Sequence, residues 1–417
     1  MKKQYSNLFV TFAICLFTCF AFPNFSSAQS LKKAIDFKKL FSVKLRNKNV
    51  SEKIYFRFYE DLVVIPVTIN GKTYNFIFDT GAMTVFSDSL AKSLNPTTSV
   101  SFPATDADKT EKTIDFYCTD NVQIGSLYFD NVGYGIVNLD AFEKRLCMRI
   151  DGLLGVNIFK LLNWEIDFSN KIISVSNKPF SADNYGMEIP FRESFGGRTP
   201  EIRMDMGKYY FYATLDMGNN DLIQIQDSIF FTHRESSYLK YAKGEGKSSE
   251  TLFNDEIPQN EYISEIDSLY MGNNLIVKEM VCISPSTMIL IGNSFLKKYG
   301  KIAINWKQRK IFLGKKDENN AIDNDKFREF IPDLQDDKLI VCFIWENTDA
   351  YKKGIRIGDQ IISINGISTE KINNSKWCEI DEEIKDLDNY NMELLNSAGE
   401  KINVNFKKVT YKSLLEE

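Results

Sequence analysis

Histidine is almost absent from this chain, since His233 is the single one among 417 residues. A serine or cysteine triad would have to be built around that one side chain, and a histidine-rich metal site would lack most of its ligands. The sequence therefore offers almost no raw material for these classes of site.

Cysteine is present but dispersed. Two of the seven cysteines lie in the apolar run near the start, and the other five have no C-x-x-C spacing: Cys118, Cys147, Cys282, Cys342 and Cys378. Zinc and iron–sulfur sites are not supported by this distribution. An oxidising compartment would permit a disulfide, and the odd count leaves at least one thiol over. The spacing does not reveal which cysteines pair.

A strong excess of charge of either sign is also missing. The 51 lysines and arginines and the 56 aspartates and glutamates give a net charge of −5, and both signs are mixed along most of the chain. Because a nucleic-acid-binding protein carries a basic patch, no nucleic-acid partner is predicted. The length and the hydrophobic content of 43% predict two or three globular units.

Long uncharged runs are missing except at the start. Lys2 and Lys3 precede the apolar run from Leu8 to Phe22, and "PNFSSAQS" follows it. This pattern predicts a signal peptide over 1–28 and an exported protein in the periplasm, the cell envelope or the extracellular space. The alternative is a membrane anchor, for which the run is short. No transmembrane span is predicted after signal removal.

The rest of the chain is rich in short apolar runs separated by turn residues. Val, Ile, Phe and Tyr dominate stretches such as "LVVIPVTINGKTYNFIF" and "KIISVSN", which predicts a mostly β protein. Within the first stretch, Asn-Gly is typical of a two-residue hairpin turn.

Two parts of the chain follow the same plan. Asp79 and Asp216 each end an apolar strand and are followed by x-Gly. The interval from Asp79 to Gly155 equals the interval from Asp216 to Gly292, and each of these two glycines is preceded by two aliphatic residues. Each glycine is followed by a helix-like stretch, a strand and a lysine-containing turn. This doubled spacing predicts two related β lobes.

Two aspartates at the ends of buried strands suit one particular chemistry. Two carboxyl groups that share a site cannot both ionise cheaply, so the pair holds one proton between them. The ionised member can activate a water molecule while the protonated member donates to a carbonyl oxygen. Such a site needs no metal and no other cofactor.

The sequence "FDTGA" at 78–82, with "LLG" at 153–155, resembles the retropepsin-like branch of the aspartic proteases. The doubled arrangement is similar to the two-lobed, pepsin-like layout, in which each lobe supplies one catalytic aspartate. The resemblance implies a catalytic pair, Asp79 and Asp216. It also implies supporting loop residues, which are Thr80, Gly81, Ala82, Gly218, Asn219, Gly155 and Gly292. The flap that closes over substrate is expected within "SVSFPATDADKTEKTIDFYC".

The second lobe departs from the family pattern at two positions. Met217 stands where the family has threonine, so the hydroxyl that braces the two loops against each other is missing on this side. Asn219 stands where the family has Ala, Ser or Thr, and its amide is expected to be able to donate to a carboxylate oxygen. The pair of aspartates is therefore expected to be intact but less rigidly held.

The last part of the chain has a different character. "AYKKGIRIGDQIISING" combines a short helix ended by Gly354, a tight turn at Gly358-Asp359 and a hairpin turn at Asn365-Gly366, and it closely resembles the PDZ domain of bacterial envelope proteases. The resemblance implies a C-terminal or internal peptide ligand. No Gly-apolar-Gly run precedes the relevant strand, so a module that only docks against the lobes stays an alternative.

The resemblances imply a bilobal aspartic-protease fold, with two β-barrel-like lobes, followed by a PDZ-like α+β domain. The predicted order is a signal peptide at 1–28, an N-terminal segment at 29–60, lobe 1 at 61–180, lobe 2 at 181–314, a linker at 315–326 and a PDZ-like domain at 327–412. Trp345 and Trp377 are expected in the core or at an interface.

The leading hypothesis is an exported aspartic endopeptidase that acts on protein or peptide substrates. The first alternative is an inactive peptide-binding adaptor on a protease scaffold, which Met217 favours. The second alternative is a pairing of two chains that combines their Asp79 residues, which the presence of a second lobe disfavours.

Overall fold

The computed structural model describes residues 11, 12, 38, 40, 42–96, 99–107, 110–194, 198–233, 240–253, 259–285, 288–316 and 326–416. The predicted signal peptide lies outside these residues except for a two-residue strand, Thr11–Phe12 (β1), and most of the predicted linker lies outside them as well. Strand residues greatly outnumber helical ones, which confirms the mostly β class. Among the described residues, no helix has the length and apolar character that a membrane crossing requires.

Lobe 1 is a sheet of short strands with three short helices. Its β6 strand buries Tyr74, Phe76 and Phe78 on one face and Ile77 on the other, so both faces are covered. Its elements are β2 Lys44–Leu45, β3 Ser51–Tyr55, β4 Arg57–Tyr59, β5 Leu62–Ile69, β6 Lys72–Phe78, β7 Val85–Ser87, α1 Asp88–Leu94, β8 Val100–Thr105, β9 Glu111–Thr119, β10 Val122–Ile124, β11 Leu127–Asp130, β12 Val132–Val137, α2 Asp140–Leu146, β13 Gly152–Leu154, α3 Val156–Phe159, β14 Asn163–Asp167 and β15 Ile172–Ser176.

The Asn-Gly hairpin predicted from the sequence is confirmed. β5 and β6 pair antiparallel with Ile69 opposite Lys72, so the turn holds two residues. Asn70 and Gly71 both have positive φ, at 49° and 80°. This is the left-handed geometry that favours Asn and Gly in such a turn.

Lobe 2 repeats the plan with longer strands. Its elements are a 3₁₀ turn Ala182–Asn184, β16 Met187–Glu193, β17 Pro200–Met206, β18 Tyr209–Leu215, β19 Ile223–Gln226, α4 Asp227–His233, β20 Tyr241–Gly246, β21 Ser249–Glu250, β22 Gln259–Met271, β23 Asn274–Ser284, β24 Leu290–Ile291, α5 Asn293–Leu296, a 3₁₀ turn Lys297–Tyr299, β25 Lys301–Asn305, a 3₁₀ turn Trp306–Gln308 and β26 Lys310–Leu313. β1 pairs with β21 in parallel.

A shared antiparallel sheet joins the two lobes. Its strand order is β3-β15-β14-β25-β26-β16, with β14 of lobe 1 beside β25 of lobe 2. The order is symmetric about the junction of β14 and β25, where Asn163 faces Asn305 and Asp167 faces Lys301. On either side of it, β15 matches β26 and β3 matches β16. A hydrophobic core runs continuously through residues of both lobes, such as Trp164 and Ile304. The lobes are therefore related by an approximate two-fold axis through this sheet.

The stretch predicted as an N-terminal segment takes part in the lobes. β3 is the outer strand of the shared sheet, and β4 forms a hairpin with β5. Val50, Ile54 and Phe56 are buried in the core that spans both lobes. The first residues of lobe 1 thus lie before position 61.

The C-terminal domain has its own core. Its elements are β27 Lys326–Phe327, β28 Phe330–Gln335, β29 Lys338–Trp345, α6 Asp349–Lys352, β30 Gln360–Ile364, β31 Ile367–Ser368, α7 Asn374–Ile384, β32 Asn389–Leu395, β33 Lys401–Lys407, β34 Val409–Thr410 and α8 Tyr411–Glu416. Trp377 packs in this core, Trp345 is buried against residues of the lobes, and the hairpin turn at Asn365-Gly366 is confirmed by φ values of 48° and 80°.

Two connections hold the C-terminal domain against the lobes. β29 pairs antiparallel with β20 of lobe 2, so that Glu245 faces Ile344. A disulfide joins Cys147, at the end of α2 in lobe 1, to Cys378 in α7. Of the other cysteines outside the signal region, Cys118 is exposed while Cys282 and Cys342 are buried, and none of the three belongs to a disulfide in the described part of the chain.

Candidate active site

Each of the two predicted aspartates lies directly after a buried strand. In lobe 1, β6 runs parallel to β13, and the Asp79 N–H donates to the Leu154 carbonyl at 2.9 Å. In lobe 2, β18 runs parallel to β24, and the Asp216 N–H donates to the Ile291 carbonyl at 3.0 Å. The aliphatic pair before each glycine is therefore the strand that fixes the backbone of its aspartate.

The glycine after each aliphatic pair permits a close chain crossing. A Cβ on Gly155 would lie 2.2 Å from the Met83 carbonyl carbon, and one on Gly292 would lie 2.3 Å from the Asp221 carbonyl oxygen. In both cases the obstacle is backbone, which cannot move aside as a flexible side chain would. Only glycine lets the loop after each aspartate pass over its partner strand.

The structure brings the two aspartates together within one chain. A Cβ on Gly81 would lie 2.5 Å from the Asp216 carboxyl carbon, and a Cβ on Gly218 would lie 2.5 Å from the Asp79 carboxyl carbon. Each carboxyl thus lies against the glycine of the opposite loop. Gly81 N–H donates to Asp79 Oδ1 at 2.8 Å, and Gly218 N–H donates to Asp216 Oδ1 at 2.9 Å, so the two loops share one geometry.

The two carboxyl groups lie side by side in a site that is closed to solvent, which changes how they ionise. Both aspartates are fully buried. Burial raises the pKa of Asp79 well above its usual range, and the adjacent Asp216 carboxyl raises it further, while the backbone N–H groups of Gly81 and Ala82 oppose this. A hydrogen bond between the Asp79 and Asp216 side chains also raises the Asp79 pKa. The arrangement can therefore hold a proton between the two carboxyl groups at neutral pH.

Thr80 braces the two loops across the lobe boundary. Its hydroxyl donates to the Leu215 carbonyl at 2.6 Å and accepts from the Met217 N–H at 3.1 Å. These two bonds hold the residues on either side of Asp216. Because the hydroxyl is buried, both partners would lose their bonds without it.

Met217 and Asn219 take different roles from the hydroxyl-bearing residues they replace. Met217 is fully buried and packs in the core that spans both lobes. Asn219 Oδ1 accepts from the Asp221 N–H at 2.8 Å, while its Nδ2 has no acceptor among the described residues. The expectation that this amide donates to a carboxylate is therefore not met, because the side chain is turned to cap its own loop.

The predicted flap is the hairpin of β8 and β9, which reaches across to lobe 2. Asp106 Oδ2, near the turn, accepts from the Phe253 N–H at 3.0 Å, and Lys112 Nζ donates to the Phe253 carbonyl at 2.6 Å. Ala107 packs on Leu290, two residues before Gly292. The hairpin is thus fastened to lobe 2.

Several residues that support the loops were not predicted from the sequence. Asn157 Oδ1 accepts from both the N–H and the hydroxyl of Thr84, at 3.1 and 2.7 Å, and its Nδ2 donates to the Gly133 carbonyl at 2.7 Å. In lobe 2, Asn293 Nδ2 donates to the Met217 carbonyl at 2.7 Å. The signal that could have revealed them is a polar residue within two positions after the aliphatic-aliphatic-Gly stretch in each lobe, where an apolar helix face is expected.

The described residues offer no obvious metal site, since no three His, Cys, Asp or Glu side chains among them converge as ligands would.

Two family models each match one part of the chain. Residues 65–158 match the model described as aspartyl protease, and residues 316–387 match the PDZ domain model. The chain carries an aspartyl protease domain and a PDZ domain. The protease match includes Asp79 and Gly155 and ends before the loop that bears Asp216. No curated protein matches the chain significantly.

Proposed function

We propose that this chain is an exported aspartic endopeptidase whose PDZ domain binds or positions protein substrates. The observation that carries the proposal is the pair formed by Asp79 and Asp216, each buried against the glycine of the opposite loop. A buried pair with a raised Asp79 pKa is the proton arrangement that water activation requires.

In the proposed reaction the two carboxyl groups divide the proton transfers. The ionised member takes a proton from a water molecule, whose oxygen forms a bond to the scissile carbonyl carbon. The protonated member gives its proton to the carbonyl oxygen, which yields a tetrahedral diol. Collapse of the diol breaks the C–N bond: the leaving nitrogen takes the proton of the pair, and one diol hydroxyl returns a proton to it, which restores the starting state. No covalent enzyme intermediate forms.

Access to this site depends on the β8–β9 hairpin. Both aspartates are fully buried, so part of the protein must move before an extended peptide reaches them. The contacts of the hairpin with lobe 2 include two hydrogen bonds to Phe253 and the packing of Ala107 on Leu290, which the proposed movement breaks. The hairpin is therefore proposed as the flap that admits substrate.

Export is supported by two independent features. The stretch at positions 1–28 has the pattern of a signal peptide. The disulfide between Cys147 and Cys378 belongs to proteins of oxidising compartments. Together they favour the periplasm, the cell envelope or the extracellular space as the place of action.

The test is cleavage of casein and of an unstructured peptide library by the wild-type protein, Asp79→Asn and Asp216→Asn. We expect both variants to lose cleavage at least a thousandfold, since each removes half of the proton-sharing pair. Asp167→Asn serves as the control, because this carboxylate lies in the shared sheet. Full activity of Asp216→Asn would contradict the intramolecular pair.

A second candidate function is a non-catalytic peptide-binding adaptor, which the burial of Met217 in place of a bracing hydroxyl favours. Binding of a peptide that carries a hydroxyl group in place of the scissile amide separates the two candidates. The enzyme is expected to bind this transition-state mimic through Asp79 and Asp216. The adaptor would bind ordinary peptides equally well after both aspartates are replaced, with no cleavage at any pH.

A further inference from the structure

The hairpin turn between β4 and β5 lies at the boundary between the lobes. Tyr59 faces Leu62, so the turn consists of Glu60 and Asp61, which have φ values of 45° and 57°. This is the left-handed geometry of a two-residue hairpin turn. Contacts from lobe 2 surround the turn.

Asp61 is the centre of these contacts. Its side chain is only 4% exposed, and its Oδ2 accepts from Ser294 Oγ at 2.7 Å and from Lys297 Nζ at 2.6 Å. The Ser294 hydroxyl lies 2.7 Å from the Asn220 carbonyl as well. Asn220 Nδ2 in turn donates to the Glu60 carbonyl at 3.0 Å. The turn of lobe 1 and the loop that follows Asp216 are thereby tied at two points.

The equivalent loop of lobe 1 needs no such tie. Asn157 lies two residues after Gly155, as Ser294 lies two residues after Gly292, and Asn157 bonds only to Thr84 and Gly133 of its own lobe in the hydrogen bonds described. The lobe 1 loop is therefore braced from within. The lobe 2 loop lacks a hydroxyl at Met217, and besides Asn293 of its own lobe it receives support from the turn of lobe 1.

We propose that Asp61 is a positioning residue, which acts through Ser294 and Asn220 to hold the loop of Asp216 against that of Asp79. The inference rests on the proposed peptidase function for its activity readout, but the geometry of the pair can be measured without cleavage. Asp61 touches neither substrate nor water in this role. It replaces, by a different route, the brace that a hydroxyl at position 217 would supply.

The PDZ domain covers the outer side of the same turn. Lys385, at the end of α7, lies with its Nζ 5.8 Å from the centre of the Tyr59 ring. The charge of Asp381 raises the pKa of Glu60, and that of Arg328 lowers it. Arg328 and Asp381 are themselves paired at 2.6 Å. The turn is thus enclosed between the PDZ domain and lobe 2, so it cannot shift outward while both stay in place.

The experiment compares Asp61→Asn with Asp167→Asn in the full chain. Each variant removes a lobe 1 carboxylate that faces a lysine of lobe 2, Lys297 at 2.6 Å or Lys301 at 3.4 Å. We expect Asp61→Asn to lower kcat roughly tenfold to hundredfold with KM changed less than threefold, since a misplaced catalytic group loses rate steeply. The control variant should keep the wild-type kcat.

The pH profile separates positioning from general damage. If Asp216 is held less closely to Asp79, the two carboxyl groups repel each other less. The difference between the two macroscopic pKa values of the pair then becomes smaller. We expect the bell-shaped pH profile of kcat/KM to be narrower in Asp61→Asn than in the wild type and to keep the wild-type width in Asp167→Asn. A profile of unchanged width in Asp61→Asn would overturn the proposal.

Two further measurements distinguish failure of the Asp61 proposal from failure of the peptidase proposal. Ser294→Ala should reproduce the effect of Asp61→Asn, and the double variant should add little, because both residues act in one chain of contacts. Titration of ¹³C-labelled aspartate carboxyl groups, assigned with Asp79→Asn and Asp216→Asn, reports the separation of the two pKa values without cleavage. A wild-type protein that cleaves nothing would end the peptidase proposal, while an unchanged separation in Asp61→Asn would end this one.

Discussion

The two aspartate loops, residues 79–84 in lobe 1 and 216–221 in lobe 2, have the same backbone plan and different supports. In lobe 1, Thr84 and Asn157 bond to each other, and Thr80 reaches across to the other loop. In lobe 2, Met217 fills the core and the support comes from Asn293 and from the turn at Asp61. A repeated fold can therefore keep one geometry while the residues that secure it diverge.

The difference also shows which contacts the geometry requires. Both loops retain the glycine that faces the opposite carboxyl and the glycine that crosses the partner strand. Glycine is required at these positions for steric reasons, because a Cβ would overlap backbone or a carboxyl group. The bracing hydrogen bonds are replaceable, because many donors and acceptors can reach the same backbone groups.

The largest expected effect comes from adding one carbon atom at the centre of the site. Gly81→Ala and Gly218→Ala would each place a Cβ 2.5 Å from a carboxyl carbon, so that the opposite aspartate would have to move out of its position. We expect both variants to lose cleavage almost completely, and to the same extent if the two loops are equivalent here. Activity is measured beside thermal unfolding, so that loss of fold is recognised.

Gly207→Ala is the matched control for these two variants. Gly207 lies in a turn with φ of 63° and has no atom within 4 Å of an added Cβ. The expected cost is about 1 kcal/mol of stability from the left-handed backbone, with kcat unchanged. If only one of the two central variants lost activity, the symmetry of the site would be refuted.

Thr80→Val tests a brace that crosses between the loops directly. The valine keeps the shape of threonine but leaves the Leu215 carbonyl and the Met217 N–H without their bonds. We expect a loss of about 2–4 kcal/mol in the free energy of unfolding and a fall in kcat of roughly a hundredfold.

Thr84→Val sharpens this prediction, since it breaks a brace that lies within lobe 1. We expect a similar loss of stability with a smaller fall in kcat, because the interlobe geometry is kept. Denaturant unfolding and steady-state kinetics of both variants provide the comparison. Equal falls in kcat would mean that the location of the brace does not matter.

The smallest expected effect on activity concerns the charge on the turn that supports lobe 2. Burial raises the pKa of Glu60 to about 8, with further contributions from Asp381 and Asp61 that Arg328 and Lys385 oppose. An ordinary glutamate ionises near pH 4.3. Between these values the folded protein keeps a proton that the unfolded chain releases, so stability falls as pH rises through this window.

Glu60→Gln removes this dependence. We expect the variant to match the wild type near pH 4 and to become more stable than it toward pH 8, by at most about 1.4 kcal/mol for each pH unit. Unfolding midpoints at pH 4.5, 6 and 8 give the measurement. A difference that stayed constant with pH would show that the Glu60 carboxyl is not held in its protonated form.

Local features of the fold were predictable because they depend on neighbouring residues. The hairpin turn at Asn70-Gly71, the turn at Asn365-Gly366 and the mostly β class follow from conformational preferences that act within a few positions. The doubled spacing from Asp79 to Gly155 and from Asp216 to Gly292 is also visible in the printed sequence.

Contacts between distant parts of the chain were not predictable. The disulfide joins cysteines 231 positions apart, and nothing in the spacing favours Cys147 with Cys378 over the other combinations. The pairing of β20 with β29 and the bond between Asp61 and Ser294 likewise connect residues whose sequence neighbourhoods carry no sign of each other.

The sequence by itself determined the strands, the turns and the glycines at which the chain must pass close to another group, because backbone sterics and side-chain periodicity act locally. Only the tertiary structure decided which supports secure Asp216, that the carboxyl pair is buried, that the β8–β9 hairpin is fastened to lobe 2, and where the PDZ domain rests. Those features depend on hydrogen bonds and packing between surfaces that meet only after the two lobes have folded together.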